Sequence, residues 1–256
     1  MPADKDLKQS VQTLTVPVIE RTLEEVGNVT ACEVDGDRAR VAIELGVPAV
    51  SISGPLADSV RDHVTAESAV QAVDVEVTSK IAAHGVQRNL SPLPDVRNII
   101  AVASGKGGVG KSTTAVNLAL ALAAEGASVG MLDADIYGPS VPLMLGVAGK
   151  SPTSDDGQSL NPLEAHGIQV MSIGFLIEAD QPMVWRGPMV TQALNQMLQQ
   201  TRWTDLDYLI VDMPPGTGDI QLTLSQQVPV SGAVIVTTPQ DIALLDARKA
   251  VQMFRK

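Results

Sequence analysis

Hydrophobic and polar positions in the first 84 residues follow two periods, one typical of helices and one typical of strands. The predicted elements, in order, are a helix within residues 7–26, strands at 29–34 and 38–45, a helix at 55–66 and a strand at 73–77. Pro17 interrupts the first helix or sets its start, because proline lacks the N–H that a helix interior needs. The turn Asp35-Gly36-Asp37 between the first two strands is typical of a β-hairpin. Residues 1–84 are therefore predicted to form a small α+β domain.

From residue 98 onward, short apolar runs alternate with stretches of helical spacing, which is typical of a parallel sheet covered by helices. The predicted strands are residues 98–103, 128–132, 168–173, 208–211 and 233–236, and the predicted helices follow Lys111 and cover residues 187–201, 220–227 and 242–255. Residues 85–97, with Pro92 and Pro94, are the predicted linker. Residues 98–256 are thus predicted to be a doubly wound α/β domain that binds its ligand at the carboxyl ends of the strands.

The composition is that of a globular protein, with 45% hydrophobic residues among 256 and a formal net charge of −11. An acidic surface repels phosphate backbones, so nucleic acid is not expected as a main partner. No apolar run approaches the ~18 residues that span a bilayer, and the N-terminus lacks the apolar core of a signal peptide, so we expect no membrane association and a cytoplasmic location. The single cysteine, Cys32, excludes an internal disulfide and a four-cysteine metal site within one copy.

Residues 105–113 read GKGGVGKST and match the phosphate-binding P-loop pattern G-x-x-x-x-G-K-[ST] at every fixed position. They lie between a predicted strand and a predicted helix, which is the context of a true P-loop. Glycines leave the backbone N–H groups free to surround a polyphosphate, and the helix N-terminus adds partial positive charge. The predicted nucleotide-binding residues are Gly105, Lys106, Gly107, Gly108, Val109, Gly110, Lys111, Ser112 and Thr113.

Aspartates follow two of the predicted strands, at the edge where a doubly wound sheet binds its ligand. Asp133 and Asp135 come directly after the second strand, and Asp212 comes after the fourth. A single strand-end aspartate is as readily a helix cap or a turn residue, but beside a P-loop such a residue holds Mg²⁺ through water. Asp212 and the hydroxyl of Ser112 are the predicted metal-binding pair. The glycine-rich loop around Gly216, directly after Asp212, is predicted to sense the γ-phosphate.

Five long segments from residue 98 onward occur together in one order. They are GKGGVGKST, LDADIYGPS at 132–140, MVWRGPM at 183–189, DYLIVDMPPGTGD at 207–219 and VTTPQDIALLDARKA at 236–250. In this combination the chain resembles the Mrp/ApbC family of iron–sulfur cluster carrier proteins, from about residue 98 to its last residue. The small domain before it is similar to the PaaD-like assembly domain that often precedes the ATPase of this family.

The resemblance implies a deviant-Walker ATPase that forms a homodimer with ATP and Mg²⁺ between its subunits and slowly converts ATP to ADP and phosphate. It implies that Lys111 contacts the β- and γ-phosphates in its own subunit, while Lys106 reaches across the interface to the phosphates bound by the partner. Asp135 is the candidate for orienting the attacking water, and Asp133 is the second choice. By resemblance, the purpose of the cycle is to bind an iron–sulfur cluster and transfer it to apoproteins.

The chain departs from this family at its cysteines. The carriers hold a bridging cluster through a C-x-x-C motif beyond the equivalent of Lys256, so we expect this chain to be a fragment that lacks the cluster ligands. The PaaD-like domain commonly carries a cysteine where Val50 stands here. Cys32 is expected to be a small buried hydrophobe. Arg186 is predicted either to contact the partner or switch loop, or to form an ordinary salt bridge.

Two other function classes fit the P-loop. A positioning ATPase of the ParA or MinD kind would require a basic nucleoid-binding patch or a membrane-targeting amphipathic tail, and the sequence has neither pattern. A nucleotide-gated scaffold would keep the phosphate contacts but turn over little ATP. Measured turnover distinguishes the scaffold from an enzyme, and iron and sulfide binding distinguishes a carrier from a positioning ATPase.

Overall fold

The structure is a computed structural model that describes residues 4–86, 90–176 and 187–255. These residues divide into two compact units. The first unit comprises the described residues up to Ala82 together with Ala124–Gly126, and the second comprises the remaining described residues. Across the described ranges, no helix combines the length and apolarity that a membrane crossing requires.

The first unit is built on a three-stranded sheet of order β3-β4-β5. Its elements are α1 (Asp4–Gln12), β1 (Thr15–Val16), β2 (Arg21–Thr22), α2 (Leu23–Val26), β3 (Gly27–Asp35), β4 (Arg38–Leu45), α3 (Val50–Glu67) and β5 (Ala72–Ser79). β3 and β4 form the predicted hairpin, in which Gly36 has the positive φ of 61° that glycine adopts readily. β5 pairs with β4 in parallel, and α3 connects them. Ala39, Val41, Ile43 and Leu45 lie on the buried face of β4, as their alternation predicts.

The helix predicted within residues 7–26, with an interruption or start at Pro17, forms only in part. Helix α1 ends at Gln12, and Pro17 begins a turn over residues 17–20 that joins β1 to β2. Val18 and Glu20 in this turn have φ values of 71° and 56°, which a right-handed helix cannot contain. The apolar residues of the segment are nevertheless buried: Leu7, Val11, Val16 and Leu23. The helix predicted within residues 7–26 is therefore present only up to Gln12, and it ends before Pro17.

The second unit is an α/β domain with a six-stranded sheet of order β11-β6-β10-β7-β9-β8. Its strands are β6 (Val96–Ser104), β7 (Val129–Asp133), β8 (Leu163–Ala165), β9 (Ile168–Ser172), β10 (Leu206–Asp212) and β11 (Gly232–Val236). Its helices are α4 (Lys111–Ala124, whose last residue is counted with the first unit), α5 (Val141–Met144), α6 (Gly187–Gln200), α7 (Asp219–Gln227) and α8 (Asp241–Phe254). All neighbouring strands pair in parallel except β8 and β9, so the predicted class is confirmed.

Helices cover both faces of this sheet because alternate residues of each central strand face opposite sides. On one face, Ala101 of β6 belongs to the same buried cluster as Leu194 of α6 and Leu224 of α7. On the other face, Val102 belongs to the same cluster as Ala115 and Ala119 of α4. The carboxyl ends of the parallel strands therefore form one edge, where loops and helix N-termini meet.

Two short elements of the second unit have no counterpart in the sequence prediction. Strand β8 pairs antiparallel at the edge of the sheet, and α5 has only four residues. Elements this short leave no periodic pattern to detect.

Helix α3 of the first unit begins earlier than predicted, at Val50, with Pro55 inside it. The predicted helix began at Pro55. A proline removes only one intrahelical hydrogen bond, so α3 can extend to residues before Pro55.

Candidate nucleotide-binding site

The loop of residues 105–110 joins the end of β6 to the start of α4, as the P-loop pattern predicts. Gly108 and Gly110 have φ values of 77° and 86°, which strongly favour glycine. Gly105 is required for another reason, because a Cβ added there would lie 2.6 Å from the backbone carbon of Asp246 in α8. A Cβ added at Gly107 would meet nothing within 4 Å, so that position leaves open space beside the loop.

Helix α4 begins at the P-loop lysine and points its N-terminus at the loop. The first backbone N–H groups of a helix have no partner within it and carry partial positive charge, which suits a phosphate. Ser112 and Thr113 lie in this first turn, and Ser112 is half-buried while Thr113 is exposed. The helix is held to the sheet by Ala115 and Ala119, which are fully buried. Backbone and dipole together make this end of α4 suited to an anion.

Lys111 is the centre of a buried charged cluster. Only 6% of the residue is exposed, and its Nζ lies 2.6 Å from Oδ1 of Asp212 and 3.5 Å from Oδ2 of Asp135. Nζ also lies 3.3 Å from the hydroxyl of Ser112. The ion pairs compensate the cost of burying the ammonium group. The structure therefore brings together the P-loop lysine, the P-loop serine and two of the three predicted aspartates.

Asp212 is the last residue of β10 and is fully buried. Its Oδ1 accepts a hydrogen bond from Lys111, whereas its Oδ2 is buried and has no hydrogen-bond partner. An unsatisfied carboxylate oxygen is costly in a protein interior, so this atom suits a cation or an ordered water. No group of three or more His, Cys, Asp or Glu among the described residues is placed to hold a metal. Mg²⁺ requires fewer, because it keeps several waters and binds substrate phosphates beside one or two protein oxygens, and Asp212 and Ser112 fit that donor set.

Asp133, at the end of β7, is hydrogen-bonded to the protein on both oxygens. Its Oδ1 accepts from the backbone N–H of Asp135 at 3.1 Å, and its Oδ2 accepts from the N–H of Val141 at 3.2 Å and the hydroxyl of Ser172 at 3.1 Å. Burial, followed by the charge of Asp212, raises its pKa from the ordinary 3.8 to about 7 despite these bonds. Asp133 is thus placed to hold the loop that carries Asp135.

Asp135 lies two residues beyond the end of β7 and is mostly buried. Its Oδ1 accepts from the N–H of Tyr137 at 3.3 Å, and its Oδ2 faces Lys111. Burial raises its pKa, while the nearby ammonium group of Lys111 opposes the shift. Since Asp135 makes fewer hydrogen bonds to the protein than Asp133, it is the better placed of the two to interact with a ligand.

The loop after β10 lies against the P-loop. The backbone N–H of Gly216 donates to the carbonyl of Ser104 at 2.8 Å, and Gly216 has a φ of 108°, so a side chain there would be strained. Lys106 and Val109 are half-buried in the P-loop itself. Within the described parts of the chain, the Lys106 side chain makes no ion pair, which leaves its charge available to a ligand. The hydroxyl of Ser104 donates to the carbonyl of Lys106.

The sequence prediction missed two contributors to this site. Ser172 ends β9 beside Asp133, and only the strand pairing places it there. Asp246 reaches Gly105 from α8, which is distant along the chain. Ser172 lies in none of the quoted motifs, and Asp246, although it lies in the segment 236–250, has no local pattern that indicates its contact with the P-loop. Arg186 lies outside the described residues, and Cys32 lies in β3 of the first unit, partly buried against that unit's core.

Comparison with known proteins gives three consistent results. A family model described as "ParA: NUBPL iron-transfer P-loop NTPase" matches residues 95–256. An iron–sulfur cluster carrier protein of Haemophilus influenzae is 50% identical over 250 residues, which are 98% of this chain and 68% of that protein. An iron–sulfur cluster carrier protein of Escherichia coli K12 is 58% identical over 203 residues, which are 78% of this chain and 55% of that protein.

Among solved structures, a nucleotide-binding protein of Archaeoglobus fulgidus in complex with ADP is 40% identical to this chain. The two structures align with a TM-score of 0.55 over 63% of this chain and 62% of that one. The two carrier proteins are longer than this chain, which aligns with 68% and 55% of their lengths.

Proposed function

Because the chain belongs to the NUBPL iron-transfer P-loop NTPase family, we propose that it binds and hydrolyses ATP as part of an iron–sulfur cluster carrier. The observation that carries the proposal is the buried cluster of Lys111, Asp212 and Asp135 behind a P-loop with two positive-φ glycines. This cluster puts a phosphate-binding cation, a candidate metal-binding oxygen and a candidate water-orienting carboxylate at one helix N-terminus.

The phosphates are bound by the backbone N–H groups of the P-loop and by Lys111. Asp212 and Asp135 hold the ammonium group at the base of the loop, and a lysine in this position can exchange a carboxylate oxygen for a phosphate oxygen. Lys106, whose side chain has no ion pair within the described residues, is proposed to bind phosphates across a homodimer interface. Two cations from different subunits would then neutralise one triphosphate, which makes hydrolysis dependent on dimerisation.

We propose that Ser112 and Asp212 hold Mg²⁺, which supplies positive charge to the β- and γ-phosphate oxygens. Oδ2 of Asp212, the buried oxygen without a partner, is the atom that supports this assignment. Asp135 orients the attacking water, and the loop containing Gly216 reports whether the γ-phosphate is present through its hydrogen bond to Ser104. The expected reaction converts ATP and water to ADP and phosphate at a slow rate.

The cargo of the cycle is an iron–sulfur cluster, passed on to apoproteins. Cys32 is the only cysteine of the chain, and thiolates are the usual ligands of such clusters. Cluster ligation is therefore proposed for the carrier as a whole and not for a site within these residues. The cytoplasmic location expected from the sequence remains a prediction.

The ATPase proposal is tested by measuring MgATP affinity and turnover at several protein concentrations. Lys111→Ala should weaken binding about tenfold or more, since a charge-assisted contact is lost. Lys106→Ala should bind MgATP normally at low protein concentration but lose turnover at high concentration, where the parent dimerises. Lys150→Ala is the control, because that lysine is exposed in the same unit. Tight MgATP binding by the parent without turnover at any concentration would support the scaffold alternative.

The carrier proposal is tested separately by anaerobic reconstitution with iron and sulfide. This chain alone should retain little iron, whereas the same sequence joined to the C-terminal region of the Haemophilus influenzae relative should retain a cluster and transfer it to an apoprotein. Cys32→Ala should leave cluster retention by the joined protein unchanged. A joined protein that holds no iron would contradict the carrier function while leaving the ATPase proposal intact.

A further inference from the structure

Three neighbouring strands end in polar side chains that lie in one row. Asp212 of β10 is paired in register with Asp133 of β7, and Asp133 is paired with Ser172 of β9. All three residues are fully buried. Asp212 and Asp133 already have roles in the proposed site, whereas Ser172 has none in any of the predictions from sequence. A fully buried hydroxyl at the ligand-binding edge of a parallel sheet calls for a physical explanation.

The hydroxyl of Ser172 is engaged on both sides. It donates to Oδ2 of Asp133 at 3.1 Å and accepts from the backbone N–H of Gly174 at 3.0 Å. The second bond caps the 3₁₀ turn of residues 173–175 that follows β9. Ser172 therefore fixes the orientation of the Asp133 carboxylate and at the same time ties it to the segment after β9.

The same carboxylate holds both ends of the loop between β7 and α5. Oδ1 accepts from the N–H of Asp135 near the start of the loop, and Oδ2 accepts from the N–H of Val141 at its end. The loop also passes close to the 3₁₀ turn, since a Cβ added at Gly174 would lie only 3.1 Å from the Pro139 ring. Loop and turn thus form one block, in which Ser172 and Asp133 are the buried link.

We infer that Ser172 is a positioning residue for nucleotide hydrolysis, acting through Asp133 to hold Asp135 against Lys111. This inference rests on the proposed ATPase function. The two hydrogen bonds of the Ser172 hydroxyl go to Asp133 and Gly174 and not to the P-loop, which joins β6 to α4. Loss of the Ser172 hydroxyl should therefore slow the chemical step without weakening nucleotide binding. If Ser172 only filled the core, its replacement would lower stability without lowering kcat at an unchanged MgATP affinity.

The test compares Ser172→Ala with Ser225→Ala. Ser225 is a buried serine of the same unit, whose hydroxyl donates to the Leu222 carbonyl within α7. Ser172→Ala should bind MgATP with the affinity of the parent and show a kcat lowered about tenfold, the effect expected for the loss of one buried hydrogen bond. Ser225→Ala should have the MgATP affinity and the kcat of the parent. Should Ser172→Ala fail to fold, Ser172→Cys, which nearly keeps the volume and weakens the donor, replaces it with a smaller expected loss.

A double-mutant cycle asks whether Ser172 acts through Asp133. In an Asp133→Ala background, Ser172→Ala should lower kcat by less than about twofold, because the carboxyl group that it orients is already gone. If the double variant loses kcat by the product of the two single losses, the two residues act independently and the inference is overturned. Equal kcat values for Ser172→Ala and the parent would also overturn it.

Amide hydrogen exchange supplies a readout that does not depend on turnover. In Ser172→Ala, the amides of Asp135 and Val141 should exchange about tenfold faster, while amides of α4 keep the parent rate. Unchanged exchange at both amides contradicts the positioning role even if turnover falls. If the parent hydrolyses no ATP, the proposed function fails first, and the exchange result still decides whether Ser172 holds the loop.

Discussion

Individual residues of the site are constrained by different physical causes, even though several are the same amino acid. Gly108 and Gly110 are constrained by their positive φ, Gly105 by the main chain of α8, and Gly107 by neither. The P-loop pattern identifies these residues as a group, because it encodes phosphate binding. It does not distinguish between them, because the constraint on Gly105 comes from Asp246, far along the chain.

Gly105→Ala should reduce the free energy of unfolding by about 1–3 kcal/mol and weaken MgATP binding, because the new methyl group overlaps the α8 backbone. Gly107→Ala is the matched variant, since open space surrounds that position, and it should be close to the parent in stability. Chemical unfolding and nucleotide titration of both variants provide the comparison. Similar losses in the two would contradict the contact between the loop and α8.

The pKa of Asp133 predicts how stability depends on pH. It is raised from 3.8 to about 7, so between these values the folded protein keeps a proton that the unfolded chain releases. The stabilising contribution of Asp133 is therefore fully present below about pH 4 and is lost as the pH rises through about 7. Asp133→Asn cannot titrate. Its free energy of unfolding, relative to the parent, should rise between these pH values, and a pH-independent difference would contradict the raised pKa.

At the scale of elements, helices and strands with a clear hydrophobic pattern were predicted close to their observed positions. The predicted helix at 187–201 is α6, Gly187–Gln200, and the predicted strand at 233–236 is β11, Gly232–Val236. Strand β8 and helix α5 were missed because they are too short to show a period. The helix predicted within residues 7–26 ends at Gln12, and strand β1 precedes the turn at Pro17, where an interruption was predicted. Strand order, which places Ser172 beside Asp133, depends on long-range pairing and not on local pattern.

Helix α6 offers a matched pair of methionines. Met197 is 1% exposed in the core of the second unit, whereas Met189 on the same helix is 44% exposed. Met197→Ala should reduce the free energy of unfolding by about 2–5 kcal/mol, because it leaves a cavity, and Met189→Ala should change it by less than about 1 kcal/mol. Urea unfolding of the two variants distinguishes these outcomes. A larger loss at Met189 would mean that α6 packs through a different face.

At the scale of the whole molecule, two compact units each have their own buried core. The core of the first unit includes Ile43, and a core of the second includes Ile210, which lies two residues before Asp212 on β10. The hydrophobic content of the chain predicts that a core is buried, but it does not predict that the core is divided between two units. That division was predicted from the change of pattern near residue 98, and the first unit's PaaD-like identity remains a prediction.

This separation predicts different consequences for two similar substitutions. Ile43→Ala should lower the thermal stability of the first unit and leave MgATP affinity unchanged, because no residue of the proposed site lies in that unit. Ile210→Ala should lower both, since the cavity lies beside the strand that carries Asp212. Calorimetry with and without MgATP provides the measurement, because a ligand raises the stability of the unit that binds it. Equal loss of nucleotide affinity in both variants would contradict this separation.

The contact between Gly105 and α8 has an asymmetric effect on which substitutions the protein tolerates. The three nearest atoms at position 246 are the backbone carbon, the carbonyl oxygen and Cβ, which every amino acid except glycine possesses. Many side chains are therefore compatible with position 246, while glycine alone suits position 105. At this point the P-loop therefore depends on the course of the α8 main chain and not on the side chain beyond Cβ.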